Sequence, residues 1–181
     1  GKYFTLTPRV LRLGTACLAT MPLPQLVQPF LDALSDETGE SSSVSILDGA
    51  EIVYVARSAQ KKVMSIALMP GSRLPAYCTS MGRVLLAHLP LGQAVHLLDD
   101  APLPARTPFT LTAPQVIMQQ LAEVRAMGYA INDQEIETGL RSIAVPIYSA
   151  RGKVVAAMNI GVSAATVSSD DLRRNFLPSL S

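Results

Sequence analysis

Residues 140–162 hold two alternating runs separated by a short turn, and no other feature of the chain limits its fold as tightly. In the first run a two-residue period places Ile143, Val145 and Ile147 on one face and Ser142, Ala144 and Pro146 on the other. In the second it places Val154, Ala156, Met158, Ile160 and Val162 on one face and Val155, Ala157, Asn159 and Gly161 on the other. The pattern predicts a β-hairpin, and a turn centred on Ala150 and Arg151 would set Ser142 opposite Asn159 and Ala144 opposite Ala157. One face is large and apolar. The other is small and carries a hydroxyl and an amide, whereas a core face normally fills its volume with large side chains. Such a face suits a space kept for a small molecule, and it also suits a partly solvated side of a sheet.

The hairpin needs partners, and the rest of the chain offers them. With 181 residues, 49% hydrophobic and only 16% charged, the chain can bury one substantial core of mixed α/β class. Pro8 opens a helix over 8–20; Pro22 and Pro24 end it and open another, in which Leu26, Val27, Phe30, Leu31 and Leu34 recur at helical spacing up to Gly39. Residues 43–47 and 52–55 flank the turn Asp48-Gly49-Ala50 as a first hairpin, and 62–68 alternate as a further strand. A loop over 70–78 leads to a helix capped by Thr79 or Ser80, another helix covers 92–98, and 102–111 is loop. Thr112 can cap a helix whose buried stripe is Ile117, Leu121 and Val124 and whose stop is Gly128. A strand over 129–131 ends at Asn132-Asp133, and residues 168–172 begin a last helix. We therefore expect a lead-in segment, 1–20, and one domain, 21–181; the start at Gly1 reads as that of an excised fragment.

Charge and composition exclude some functions. A net charge of +1 makes no case for phosphate binding by clustered Lys and Arg, and no apolar run is long enough for a membrane span. Cys17 and Cys78 are too few for a disulfide framework and read as free thiols in a reducing cytoplasm. His88 and His96 match no metal-ligand spacing, so neither a metal nor a cofactor is expected. The helix start at Ser80 and Met81 is a natural anion seat. With Asn132, Asp133, Ser142, Asn159 and Gly161 it would form one concave site for an organic acid, balanced by Arg73 or Arg141. Arg141 alternates away from Ser142, so pairing with Asp133 or Glu135 is its structural alternative. A rival chemistry makes Cys78 or Ser80 the nucleophile of a cytosolic hydrolase, although no local base accompanies it. The acids Asp133, Glu135 and Glu137 alternate as on an exposed edge or loop.

Three stretches carry a family resemblance: 71–87 (GSRLPAYCTSMGRVLLA), 128–145 (GYAINDQEIETGLRSIAV) and 152–162 (GKVVAAMNIGV). Together they resemble the effector-binding domain of IclR-family transcriptional regulators across nearly the whole chain. Residues 3–11 look like the wing end and linker helix of that family, and 40–43 with 76–80 are most similar to the subgroup controlling β-ketoadipate pathway genes of aromatic acid catabolism. The resemblance implies a GAF-like α/β (α+β) fold: a curved antiparallel sheet, helices packed on one side, and the effector between sheet and loops. It implies a sensor that holds a small organic acid, assembles as a homodimer or tetramer, is not an enzyme, and meets promoter DNA only through a winged helix absent from these residues. It places the effector at the backbone of Ser80 and Met81, with Asn132 beside Asp133, Ser142, Asn159 and Gly161. Ser142 stands where a cysteine can occur and Asn159 and Gly161 where serines can, which suits a larger or differently shaped acid than the small oxoacids.

Overall fold

The computed structural model describes residues 14, 16, 22–60, 68–100 and 102–180. Of the helix expected over 8–20 only residues 14 and 16 are described, both helical, and all but the last residue of the strand expected over 62–68 lie outside the described residues. Within them, six strands form one antiparallel sheet: β1 (Ser41–Asp48), β2 (Glu51–Ser58), β3 (Arg73–Pro75), β4 (Ala130–Asp133), β5 (Leu140–Tyr148) and β6 (Val154–Ser163). Their order across the sheet is β3-β2-β1-β6-β5-β4, so the N-terminal and C-terminal hairpins meet along β1 and β6. The sheet is curled into a half-barrel, in keeping with the curved antiparallel sheet expected.

Helices cover both faces, not one. On one side lies α1 (Pro22–Thr38), whose Leu31 packs with Val44, Val55, Ala56 and Ala156, and whose Leu34 packs with Ile143, Val145, Ile160 and Val162. Gly39 follows it with φ +67°, the left-handed conformation that ends a helix without a Cβ penalty. Leu26 and Phe30 on the same helix stay exposed. On the opposite side lie α2 (Ser80–Ala87), α3 (Leu91–Asp99) and α4 (Pro114–Met127). Here Met81, Val84, Leu85, Ile117, Leu121 and Val124 bury against Ile52, Tyr54, Ala130, Ala144 and Ala157. Small sheet residues let α2 approach closely, which is why a face of alanines and serines belongs there. A short helix, α5 (Ser169–Asp171), opens on a capping box between Ser168 and Asp171 and continues in helical turns that bury Leu172 and Leu180 under the α1 side.

Four local expectations are corrected. The β5–β6 hairpin pairs Ser142 with Gly161 and Ala144 with Asn159, two residues from the register expected. The turn is longer than assumed: Gly152 takes φ +71°, its N–H bonds Ser149 O, and Ser149 N–H bonds Lys153 O, a three-residue loop that displaces the pairing. An irregularity at Ile147/Tyr148 also turns Val154 toward the α2 side. Part of the loop expected over 70–78 is the edge strand β3, paired to β2, followed by a 3-10 turn at Ala76–Cys78. Finally, α4 is entered through Ala113 with Pro114 at its first position, and Thr112 does not cap it.

Candidate functional site

A narrow cavity opens between the α2 side of the sheet and the start of α2, with about 520 Å³ of empty space, open solvent included. Its floor is one face of the sheet. Ser142 pairs with Gly161, and Gly161 with Ser41; two residues along, Ala144 pairs with Asn159, Asn159 with Ser43, and Ser43 with Arg57. Gly161 has no positive φ, and a Cβ there would meet only Leu140 Cδ1, at 3.7 Å. The fold therefore does not demand glycine, and its smallness keeps floor space open.

The wall is the start of α2. Thr79 is the N-cap, its Oγ1 accepting from Gly82 N–H at 3.2 Å, and the amides of Ser80 and Met81 have no acceptor within the helix. The preceding 3-10 turn lies so close that a Cβ on Gly82 would stand 2.2 Å from Ala76 O and 2.4 Å from Ala76 Cα. Ser80 Oγ and Ser142 Oγ hydrogen-bond at 2.8 Å, and Ser45 Oγ donates to Met81 Sδ at 3.3 Å, so the helix start is pinned to β5 and β1.

The cavity also holds a cation that strict alternation hides. β1 and β2 lose register between Val44 and Ser45: Ser45 pairs with Tyr54, but Val44 pairs with Ala56. Val55 is the extra residue of a bulge, and a bulge re-aims the side chains beyond it. Tyr54 and Arg57, three apart, both line the cavity. Arg57 Nη1 donates to Ser43 Oγ at 2.9 Å, and no carboxylate of the described residues lies within ion-pair distance. Burial pulls its pKa down, offset in part by Tyr54, and burial pushes the Tyr54 phenol up to about 12. The side chains of Tyr54 and Asn159 line the cavity and make no hydrogen bond to described residues.

Of the residues expected at a site, Ser80, Met81, Asn132, Ser142, Asn159 and Gly161 line this one cavity. Asn132 is already engaged: its Nδ2 donates to Cys78 O at 2.8 Å and to Glu135 Oε1 at 3.3 Å. Asp133 points elsewhere, held in a two-point ion pair by Arg141, which pulls its carboxyl below the usual range. Arg141 also donates to Val167 O, and Arg73 pairs with Asp48 and Glu51 on the exposed sheet edge. Neither expected arginine lines the cavity; Arg57 does.

The acidic run is not all exposed. Glu135 is buried beside Arg83, with Nη1 to Oε1 at 2.6 Å, and also accepts from Leu111 N–H. Cys78, the nucleophile of the rival reading, is fully buried and its thiol pushed up to about 11 by burial, the reverse of an activated thiolate. His88 Nδ1 meets Val84 O, His96 pairs with Asp100, and among the described residues no three of His, Cys, Asp and Glu gather as metal ligands. No helix of the described residues is long and apolar enough to cross a membrane. Of two larger hollows, the one beside Tyr77 is lined mainly by Leu and Pro, and the one beside His88 has only His88 and Gln93 as polar side chains.

Residues 15–181 match the family described as bacterial transcriptional regulator IclR C-terminal. The chain is 45% identical over 181 residues to the Pca regulon regulatory protein of Pseudomonas putida, covering 99% of this chain and 62% of that protein. A solved protein of Rhodococcus sp. RHA1, assigned as a transcriptional regulator, is 49% identical with a TM-score of 0.90, covering 98% of this chain and 72% of that one. The inducer-binding domain of the Acinetobacter PobR transcription factor, solved as a double mutant with 3-hydroxybenzoic acid, is 34% identical with a TM-score of 0.83, covering 88% of this chain and 94% of that one. The chain thus spans less than two thirds of the length of its curated relative from P. putida.

Proposed function

The chain belongs to the IclR family of bacterial transcriptional regulators, as its C-terminal domain, and on that premise we propose that its cavity senses an organic acid, in the class of aromatic-catabolism intermediates. The observation that carries this reading is a half-buried guanidinium with no carboxylate partner among the described residues, lining the same cavity as the first amides of α2 and an Asn159 amide that bonds no described residue. A lining so rich in donors favours an anion. The 3-hydroxybenzoic acid in the PobR complex is an acid of the same class. Ser80, Met81, Ser142, Asn159 and Gly161 would touch the effector; Asn132 would hold the wall in place, and Asp133 would act only through Arg141.

In an intact cytoplasmic regulator, occupancy would bias the arrangement of DNA-binding domains outside these residues, within a homodimer or tetramer. The acid has to bind the two states unequally to do so. Catalysis is not part of this reading, because the buried Cys78 offers no accessible thiolate.

A thermal-shift screen of aromatic acids against their amides tests the proposal, since a ligand of the folded state raises its melting temperature. Acids should stabilise the chain and amides should not. Ser142→Val and Asn159→Leu should remove the shift while leaving the unliganded protein folded. Equal shifts from acid and amide would refute the charge reading, and unchanged shifts in both variants would move the site elsewhere.

A further inference from the structure

The end of β2 is held from both sides of the sheet. On the cavity side, Arg57 Nη1 donates to Ser43 Oγ at 2.9 Å. On the α1 side, the carbonyl of the same residue accepts from Gln28 Nε2 at 3.2 Å, and the next carbonyl, Ser58 O, accepts from Ser35 Oγ at 3.2 Å. β3 pairs with β2 only over Glu51–Val53, so among the described residues no strand pairs with the outer edge of β2 past the bulge.

The two ties reach different parts of α1. Ser35 belongs to the C-terminal turns, which carry the buried residues of the helix, Leu31, Leu34 and Ser35. Ser42, itself buried, adds bonds from its Oγ to Leu31 O at 2.9 Å and to Ser35 Oγ at 3.1 Å. Gln28 belongs to the N-terminal turns, where none of residues 22–30 is buried and Leu26 is 66% exposed. Pro29 stands between the two parts. It has no N–H to give the carbonyl four residues back, and its ring crowds that carbonyl, so a helix bends most readily there. With one arm of the bend seated on the sheet, the other is left to follow its tether, and the tether ends on the backbone of the cavity's cation.

Resting on the acid-sensing reading above, we propose that Gln28 is a positioning residue for Arg57: it fixes the backbone from which the guanidinium reaches the cavity, and through the same bond the N-terminal turns of α1 follow the setting of that guanidinium. Pro29 confines the movement to residues 22–28. An anion that draws Arg57 off Ser43 is thereby felt on the opposite face of the sheet, at the helix end that continues into residues 1–21. The coupling is reciprocal, so whatever holds those turns also sets how readily Arg57 turns to a ligand.

A double-mutant cycle on the unliganded 181-residue chain tests the tie, with Arg57→Gln, Gln28→Met and the two together read by amide hydrogen exchange. Arg57→Gln should speed exchange at Leu26, Val27, Gln28 and Phe30 about 2- to 10-fold, the effect of losing one hydrogen bond, and leave residues 34–37 within about twofold. Gln28→Met should do the same, and the double variant should add nothing further. Asp32→Ala removes the other acceptor of Gln28 Nε2 and should leave the effect of Arg57→Gln in place. Unchanged exchange at 34–37 also shows that each variant is folded. Additive effects in the cycle would overturn the proposal, and so would an acceleration spread equally over residues 26–37, which has no hinge in it. The ligand arm uses 3-hydroxybenzoate, the acid in the PobR complex: it should change exchange at the same four amides in the wild type and not in Gln28→Met. Binding without that change would overturn the claim that α1 follows the cavity. No binding, beside a non-additive cycle, would count against the acid reading and leave the tie between Gln28 and Arg57 standing.

Discussion

Replacing Glu135 by Ala should be among the most damaging single changes in this domain. Glu135 is 5% exposed and Arg83 2%. Its carboxylate accepts from Arg83 Nη1 at 2.6 Å and Nη2 at 2.7 Å, from Leu111 N–H at 3.0 Å, and from Asn132 Nδ2 at 3.3 Å. Truncation leaves a guanidinium buried with Tyr77 O as its one polar partner among the described residues. Stranding one member of a buried ion pair costs about 3–5 kcal/mol. For a chain of this size that is a fall of roughly 6–20 °C in melting temperature. Removing both charges has a different effect. Arg83→Met with Glu135→Leu replaces the pair by side chains of similar volume, leaving the Leu111 N–H, Tyr77 O and Asn132 without those partners. At about 1–3 kcal/mol for each buried group left unpartnered, the double variant should lose less than the two singles added together. Urea unfolding of the four proteins, with midpoint and slope fitted separately, gives the coupling energy. Additive losses, or a Glu135→Ala cost below about 1 kcal/mol, would refute the view that these two groups exist to neutralise each other.

Gly82→Ala should destabilise by at least about 1–3 kcal/mol, because its Cβ would meet backbone of the Ala76 turn at 2.2 Å and 2.4 Å; a melting temperature within a degree of wild type would contradict that packing. Asp133 has its pKa lowered by Arg141, so its contribution to stability is present above the unfolded value, about 3.9 for an ordinary aspartate, and is lost as pH falls through the folded value. Asp133→Asn should consequently be less stable than wild type at neutral pH and converge with it in acid, and a gap that stays constant from neutral pH into strong acid would be inconsistent with this. Cys78, buried with its thiol near 11, should resist iodoacetamide in mildly alkaline buffer in the folded chain and react in denaturant; peptide mapping distinguishes it from Cys17, and fast native labelling would overturn the burial.

The two faces of the β5–β6 hairpin were legible because a two-residue period survives any even slip: the pairing differs by two residues from the simplest turn, yet Ser142, Asn159 and Gly161 still share a face. The cap at Thr79, the stripe Ile117, Leu121 and Val124, and the stop at Gly128 were legible for a similar reason, since each depends on local chemistry. β3 was not, because three residues ending in a proline are too few to show a period. Arg57 was hidden by the bulge, whose existence depends on how β2 meets β1 and not on β2 itself. Glu135 looked exposed because neighbouring acids alternate with it. The available signal lay elsewhere: Arg83 is the one charge in the helix SMGRVLLA, every residue of which is buried, so it required an acidic partner from a distant segment.

The seam between β1 and β6 gives the cavity a place in time as well as in space. Ser43 and Asn159 are paired neighbours in the floor although 116 positions separate them along the chain. At about 5–20 residues per second, a ribosome needs on the order of 10 s to make the stretch between them, and for all of that interval the first half of the floor exists without the second. A nascent, truncated or nicked chain that lacks β6 has the cap, the bulge and the guanidinium but nothing to hold a ligand against. A ligand held by this floor would therefore need β6 in place, and stabilisation by such a ligand would be confined to domains in which the last strand has been laid down.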